Sequence, residues 1–165
     1  MREILFRGKR LDNGDWVYGA LANFRSIANE IYAAIIPKVD VENSMMELKS
    51  VDPSTVGQYT GLKDKNGNRI WEGDIVRYTF DSPDDPTATK NGLKVRTGRI
   101  FWSDWRASFA VTAGRNGSAS LNNDVARYVR GRQIYEYVRG ANTVEVIGNI
   151  TDNPELLEKQ PTSAK

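Results

Sequence analysis

The chain contains no cysteine and no histidine. Without cysteine there is no disulfide framework, no thiol nucleophile and no thiolate-bound zinc or iron–sulfur centre. Without histidine the most frequent general base at neutral pH and the most frequent transition-metal ligand are both missing. These two absences exclude most hydrolase, deaminase and metalloenzyme mechanisms. Long apolar runs are absent as well. The best stretch, Ile31 to Pro37, falls far short of the about 20 residues that span a bilayer, and Met1 to Arg10 is too charged for a signal-peptide core. The expectation is a cytoplasmic protein with no membrane partner. No Walker glycine string, no Gly-x-Ser-x-Gly elbow and no dinucleotide fingerprint occurs, so no cofactor is expected.

What remains is a chain of 165 residues, 39% hydrophobic and 27% charged, with a net charge of +2. That composition suits a folded core and does not suit a disordered polyelectrolyte. Turn chemistry divides the chain into short β-prone runs. Ile4 to Leu11 and Trp16 to Leu21 flank Asn13-Gly14, a pair that tolerates the positive φ of a tight type I′ hairpin turn. Ser26 to Ile36 carries Ile27, Ile31 and Ile35 at helical spacing, yet Ile31 to Ile36 equally suits a buried strand; Pro37 ends it in either case. Val41 to Val51 offers only Val41, Met45 and Leu48, one weak helix or an irregular crossing.

Asp52-Pro53-Ser54-Thr55 predicts a single helical turn with Asp52 as its cap and Pro53 at its first position. Asn66-Gly67 predicts a second reversal. Ile75 to Phe80 alternates as a half-buried strand, with Ile75, Arg77 and Thr79 on one face and Val76, Tyr78 and Phe80 on the other. Asp81 to Gly92 and Ala113 to Asp124 read as loops, whereas 93–102, 107–112, 132–139 and 143–150 read as strands. Asn153-Pro154-Glu155 caps a short closing helix. Five to six short strands between Val56 and Ile150, without helical crossovers, pair antiparallel. The fold class expected is therefore mainly β: an N-terminal β-hairpin region (1–50), a small antiparallel SH3-like barrel with a closing helix (51–160), and a tail (161–165).

Three acids, Asp64, Glu72 and Asp74, lie close enough in sequence to converge as a carboxylate site. Beside glycine, however, Asp and Glu usually close turns through their own backbone contacts. Asp64, Asn66 and Asn68 resemble the opening of a calcium loop, but Arg69 stands where that loop needs glycine and Ile75 where it needs glutamate. No metal site is expected, and Gly57, Gln58, Tyr59, Thr60, Gly61, Asp64, Gly67, Glu72, Gly73 and Asp74 are read as structural.

The main asymmetry is one of charge. Between Arg96 and Arg139 stand eight arginines, no lysine and three acids, a net charge of +5 that leaves −3 for the rest. Arginine interleaved with Trp102, Trp105, Phe109, Tyr128, Tyr135 and Tyr137 is a combination that pairs with phosphates while rings stack on bases. Arg99, Trp105, Arg106, Arg130 and Arg132 are the candidate nucleic-acid contacts. Alternating strands would instead bury some of these rings and split the charge between opposite faces.

Several stretches resemble a known family: Phe6-Arg7-Gly8-Lys9, Asp12-Asn13-Gly14-Asp15-Trp16-Val17-Tyr18-Gly19, Val51 to Gly67 with its Gly57-Gln58-Tyr59-Thr60-Gly61 core, Glu72-Gly73-Asp74-Ile75-Val76, Val146 to Ile150, and Asp152 to Leu157. In this order they are similar to the YopX family of phage and prophage proteins. The resemblance implies a mainly β fold with a barrel-like portion and a phage or prophage setting, and it implies no reaction. It also favours the strand reading of Ser26 to Ile36. With neither imidazole nor thiol, the chain is expected to be a non-enzymatic binding module, with nucleic acid as the first partner class. The alternatives are an assembly factor that joins a host or phage protein, or a second copy of itself through an apolar patch at Ile31 to Ile36, and a carboxylate-based enzyme.

Overall fold

The computed structural model describes residues 3–26, 29, 31–37, 39–40, 45–81, 93–104, 107–113, 117–120, 127–129, 132–134, 137–138 and 144–158. It is mainly β and divides into two compact units, Met1–Gly61 and Leu62–Lys165. The division falls inside a strand, beyond the boundary at residue 50 that the sequence suggests.

In the first unit, β1 (Phe6–Lys9) and β2 (Trp16–Arg25) form the expected hairpin, with Lys9 opposite Trp16 and Phe6 opposite Gly19. The connection is wider than a type I′ turn. Arg10 N donates to Asp15 O, Gly14 N donates to Arg10 O, and only Gly14 takes a positive φ, of 74°. Ile31–Ile36 is strand β3, paired along six positions with β2. No helix follows. β4 (Val39–Asp40), β5 (Met45–Met46) and β6 (Lys49–Val51) occupy the described part of the stretch in which a weak helix was one expectation.

The Asp52 carboxylate accepts from Ser54 N at 2.9 Å, and a single 3-10 turn, Pro53–Thr55, follows as its sequence predicts. β7 (Gly57–Lys63) then pairs with β1, so the order in this unit is β6-β3-β2-β1-β7. One face of the sheet carries the core: Ala33, Ile35 and Val51 with Phe6, Val17, Leu21 and Val56. The stretch Ile31 to Ile36 is thus divided, with Tyr32 52% exposed and its middle interior. Ala33, Ala34 and Ile35 are all buried, because β3 lies between two partners.

The second unit starts with a hairpin from the end of β7 to β8 (Arg69–Trp71). Gly67 N donates to Asp64 O and Asp64 N donates to Asn68 O, with a positive φ at Gly67 alone. This is a type I turn continued by a left-handed glycine, again not the type I′ form. β9 (Asp74–Asp81), β10 (Leu93–Ser103), β11 (Ser108–Ala113) and β12 (Gly117–Ser120) follow, with β12 inside the stretch read as loop. β13 (Arg127–Val129), which the sequence did not signal, pairs with β14 (Arg132–Ile134). β15 (Tyr137–Val138) joins β9, so 132–139 is not one strand.

The final strand β16 (Glu145–Asn149) also pairs with β9, through a bulge between Val146 and Gly148. The order is β12-β11-β10-β9-β15, and every pairing is antiparallel. Among the described residues these pairings run along open paths and close no barrel.

The core of this unit is Ile70, Val76, Tyr78, Ile100, Phe109, Val111 and Val144. The expected alternation in β9 holds at Val76, Arg77 and Tyr78 but fails at Ile75, which is as buried as Val76. Ile75 lies opposite Gly148, and a Cβ on Gly148 would come within 2.8 Å of Leu156 in the closing helix α1 (Glu155–Glu158). The strand is thus covered on both faces at that end. Asn153 stands before Pro154 at the start of this helical turn, its carbonyl accepting from Leu156 N at 3.1 Å, but its side chain is not the cap expected. Its side-chain oxygen accepts from Asn149 N at 3.4 Å, turning the chain out of β16.

Candidate nucleic-acid interface

Asp64, only 5% exposed, receives the amides of Asn66 (2.9 Å), Asn68 (2.8 Å) and Val146 (3.1 Å), and the Asn68 side chain at 3.2 Å. Burial raises its pKa, but those four donors outweigh burial and hold the carboxyl below its ordinary value. Asp74, 1% exposed, accepts from Trp71 N at 2.8 Å, and Glu72 accepts from Trp102 N at 3.2 Å. Each acid is thus matched to backbone donors that a turn or strand end would otherwise leave unsatisfied. Among the described residues no three acids form a group that could hold a metal ion.

The other motif residues lie in strand pairings and turns. Gly57 and Gln58 pair with Arg7 and Phe6, Tyr59 N donates to Leu5 O, Tyr59 and Thr60 are buried, and Gly73 N donates to Ile100 O. Gly61 closes the first unit, and Gly67 forms the left-handed corner of its turn.

The arginines are distributed differently. Arg96 stands opposite Tyr78 in the β9–β10 ladder, and Arg99 opposite Ile75. An odd separation along a strand puts the two arginines on opposite faces. Arg99 is exposed and shares its face with exposed Arg77, whose cross-strand partners are Thr97 and Glu145. Lys65 joins them: its Nζ lies 2.8 Å from Glu145 Oε2, with Arg77 3.7 Å from the same oxygen. Trp105, Arg106 and Arg130 lie outside the described residues; Arg132 lies in β14, where only its backbone is described. Trp102, 41% exposed, packs edge-on against Phe109, with ring centroids 5.1 Å apart, on the face that carries the core.

A second surface was not singled out from the sequence. In the β1–β2 hairpin Arg7 lies opposite Tyr18 and Lys9 opposite Trp16, so all four share the face opposite to Ile35 and Val17, where Tyr18 is exposed and Arg7 is buried. The Arg7 guanidinium carbon sits 4.7 Å from the centre of the Trp16 ring and Lys9 Nζ 5.8 Å from it. Further along the same face, Phe24 lies directly opposite Tyr32. The signal was present: Arg7 and Lys9, like Trp16 and Tyr18, are two residues apart on either side of a recognised turn. What it lacked was the register.

The architecture therefore defines a mainly β, two-unit protein whose conspicuous acids build turns and whose sheets expose basic and aromatic side chains. The YopX family model, described as YopX protein, matches residues 5–158, and the chain belongs to that family. A comparison with curated proteins finds no match. Among solved structures the chain is similar to the crystal structure of protein EF1440 from Enterococcus faecalis, at 25% identity and a TM-score of 0.50, covering 95% of this chain and 99% of that one.

Proposed function

We propose that this YopX-family chain is a non-enzymatic binding module of phage or prophage origin, acting in the cytoplasm of a bacterial host, with nucleic acid as its ligand. The observation that carries this reading is the basic outer face of the second sheet, where Arg77 and Lys65 share a single carboxylate, Glu145, and Arg99 stands exposed on the same face. Three cations against one acid leave positive charge for phosphates, and the arginine fork suits phosphate geometry. The commitment of Asp64, Glu72 and Asp74 to backbone amides supports a role in binding over one in catalysis. No helix among the described residues is long and apolar enough to cross a membrane.

The test is fluorescence anisotropy with labelled single- and double-stranded oligonucleotides at about 50 mM salt, where phosphate contacts are strong, repeated as salt rises. Binding that weakens steeply with salt, with a log–log slope reduced by about 1 in Arg99→Ala, supports the reading. No binding to any oligonucleotide at low salt removes it.

A further inference from the structure

We propose that Asn66 is a site of spontaneous backbone modification, where the Gly67 amide displaces the side-chain nitrogen and the turn between β7 and β8 is lengthened as isoaspartate; this stands apart from the binding reading above. Asparagine is among the thermolabile residues, and a glycine after it has no Cβ to obstruct the attacking nitrogen. Two such pairs lie among the described residues, Asn13-Gly14 and Asn66-Gly67. Their glycine nitrogens are held alike: Gly14 N donates to Arg10 O at 3.0 Å, and Gly67 N to Asp64 O at 3.0 Å. The carboxamides differ. Asn13 Nδ2 donates to Asp15 Oδ2 at 2.7 Å while Asn13 Oδ1 accepts from Asp15 N at 3.0 Å, so both ends of the group are tied. Asn66 is exposed, and the hydrogen bond it makes among the described residues comes from its backbone, which donates to Asp64 Oδ1 at 2.9 Å. Its carboxamide can therefore turn toward Gly67 N without breaking a bond. Asn68, in the same turn, has its carboxamide on Asp64 Oδ2 at 3.2 Å and is followed by Arg69.

The step balances with water alone. The Gly67 amide gives its proton to solvent, its nitrogen bonds to Asn66 Cγ, and the Cγ–Nδ2 bond breaks as ammonia leaves with a proton from water. Water then opens the cyclic imide at either carbonyl, giving aspartate or isoaspartate. In isoaspartate the chain runs through Cβ and Cγ, so an extra methylene enters between the amides of positions 66 and 68. Those two amides meet the same oxygen of Asp64, at 2.9 and 2.8 Å. A longer turn no longer presents both to that oxygen in this geometry. The same carboxylate holds Val146 N at 3.1 Å, so the modification loosens the anchor of β16. It also sets a new carboxylate next to Lys65, which already faces Glu145.

The experiment incubates the full chain in warm, mildly alkaline buffer, with a parallel sample in guanidinium chloride. Each is digested at glutamate, and the amide-to-acid mass gain is followed at Asn13, Asn66 and Asn68. Isoaspartate is read in the same peptides as methyl acceptance from an isoaspartyl methyltransferase. The pairs that begin at Asn91 and Asn116 lie outside the described residues, and mapping by peptide keeps their products apart. In the folded chain Asn66 should convert at least about tenfold faster than Asn13, the factor that the two hydrogen bonds on the Asn13 carboxamide add to its barrier. In denaturant that lead should shrink. Equal folded rates at Asn13 and Asn66, or a lead as large in denaturant, overturns the proposal. Acid at Asn66 without isoaspartate overturns it too, because no imide has then formed. The fraction carrying isoaspartate at position 66, separated by ion exchange, should unfold at a lower urea concentration than Asn66→Asp, which has the same charge on an unaltered backbone. Equal midpoints for these two overturn the loosening of the Asp64 anchor.

Discussion

Asp64, in the turn between β7 and β8, accepts a hydrogen bond from the backbone amide of Val146, 82 positions later in the chain. The same carboxylate holds its own turn closed through Asn66 and Asn68. One short side chain thus organises a local reversal and anchors the last strand beside it.

Replacing Asp64 by alanine should therefore cost more than a surface aspartate would. Three backbone amides lose their acceptor in a site only 5% exposed, and unsatisfied buried donors cost about 1–3 kcal/mol. A loss of about 3 kcal/mol by urea denaturation is expected for Asp64→Ala, and a smaller one for Asp64→Asn, which keeps one acceptor oxygen. An Asp64→Ala midpoint equal to the parent's would show that the amides find water instead.

Acid should destabilise the protein, and neutral pH should not change it much. In the folded state Asp64 sits below its ordinary pKa, and so does Asp52, which accepts from the hydroxyl and amide of Ser54. A depressed folded pKa gives stability that is complete above the unfolded value of about 3.9 and is lost as pH falls through the folded value. With no histidine in the chain, no imidazole titrates between about pH 5 and 8. Urea midpoints should be flat across that range and fall steeply below about pH 4, with a shallower fall in Asp64→Asn.

Gly19 tests the close approach of β2 to the end of β3. A Cβ at this buried position would lie 2.0 Å from the carbonyl oxygen of Ile36 and 2.6 Å from its carbon. Backbone cannot step aside as a side chain can, so Gly19→Ala should lose about 3 kcal/mol or more. Gly14→Ala, at φ 74° but in open space, should lose only the about 1–2 kcal/mol of a left-handed alanine. Chemical denaturation of the two variants side by side checks the order.

Tyr78 is 1% exposed and donates its hydroxyl to the carbonyl of Thr112 at 3.0 Å, tying β9 to β11 across β10. Tyr78→Phe keeps the ring and removes this bond, so thermal unfolding should report a loss of about 1 kcal/mol. A variant as stable as the parent would mean that the bond contributes nothing net.

The parts legible in the sequence are those whose cause is local. Asp52 and Pro53 specify their turn because cap, proline and amide lie within three residues of one another. Gly14 and Gly67 mark their reversals because left-handed backbone needs glycine, and the long stretches of YopX-like sequence between them identify relatives without any fold in view. The split of Arg96 from Arg99 was also readable, since three steps along a strand reverse the face. Pairing was not readable. Nothing local in Phe6–Lys9 places that strand between β2 and β7, and nothing in 132–139 divides it between two sheets. Ile75 alternates in sequence like a half-buried residue, and only the approach of Gly148 and the closing helix buries it. The same limit hid the aromatic face, because Tyr18, Phe24 and Tyr32 become one surface only once β2 and β3 take their register. Turn chemistry is written in neighbouring residues, whereas the company a strand keeps is settled by which distant faces can be buried together.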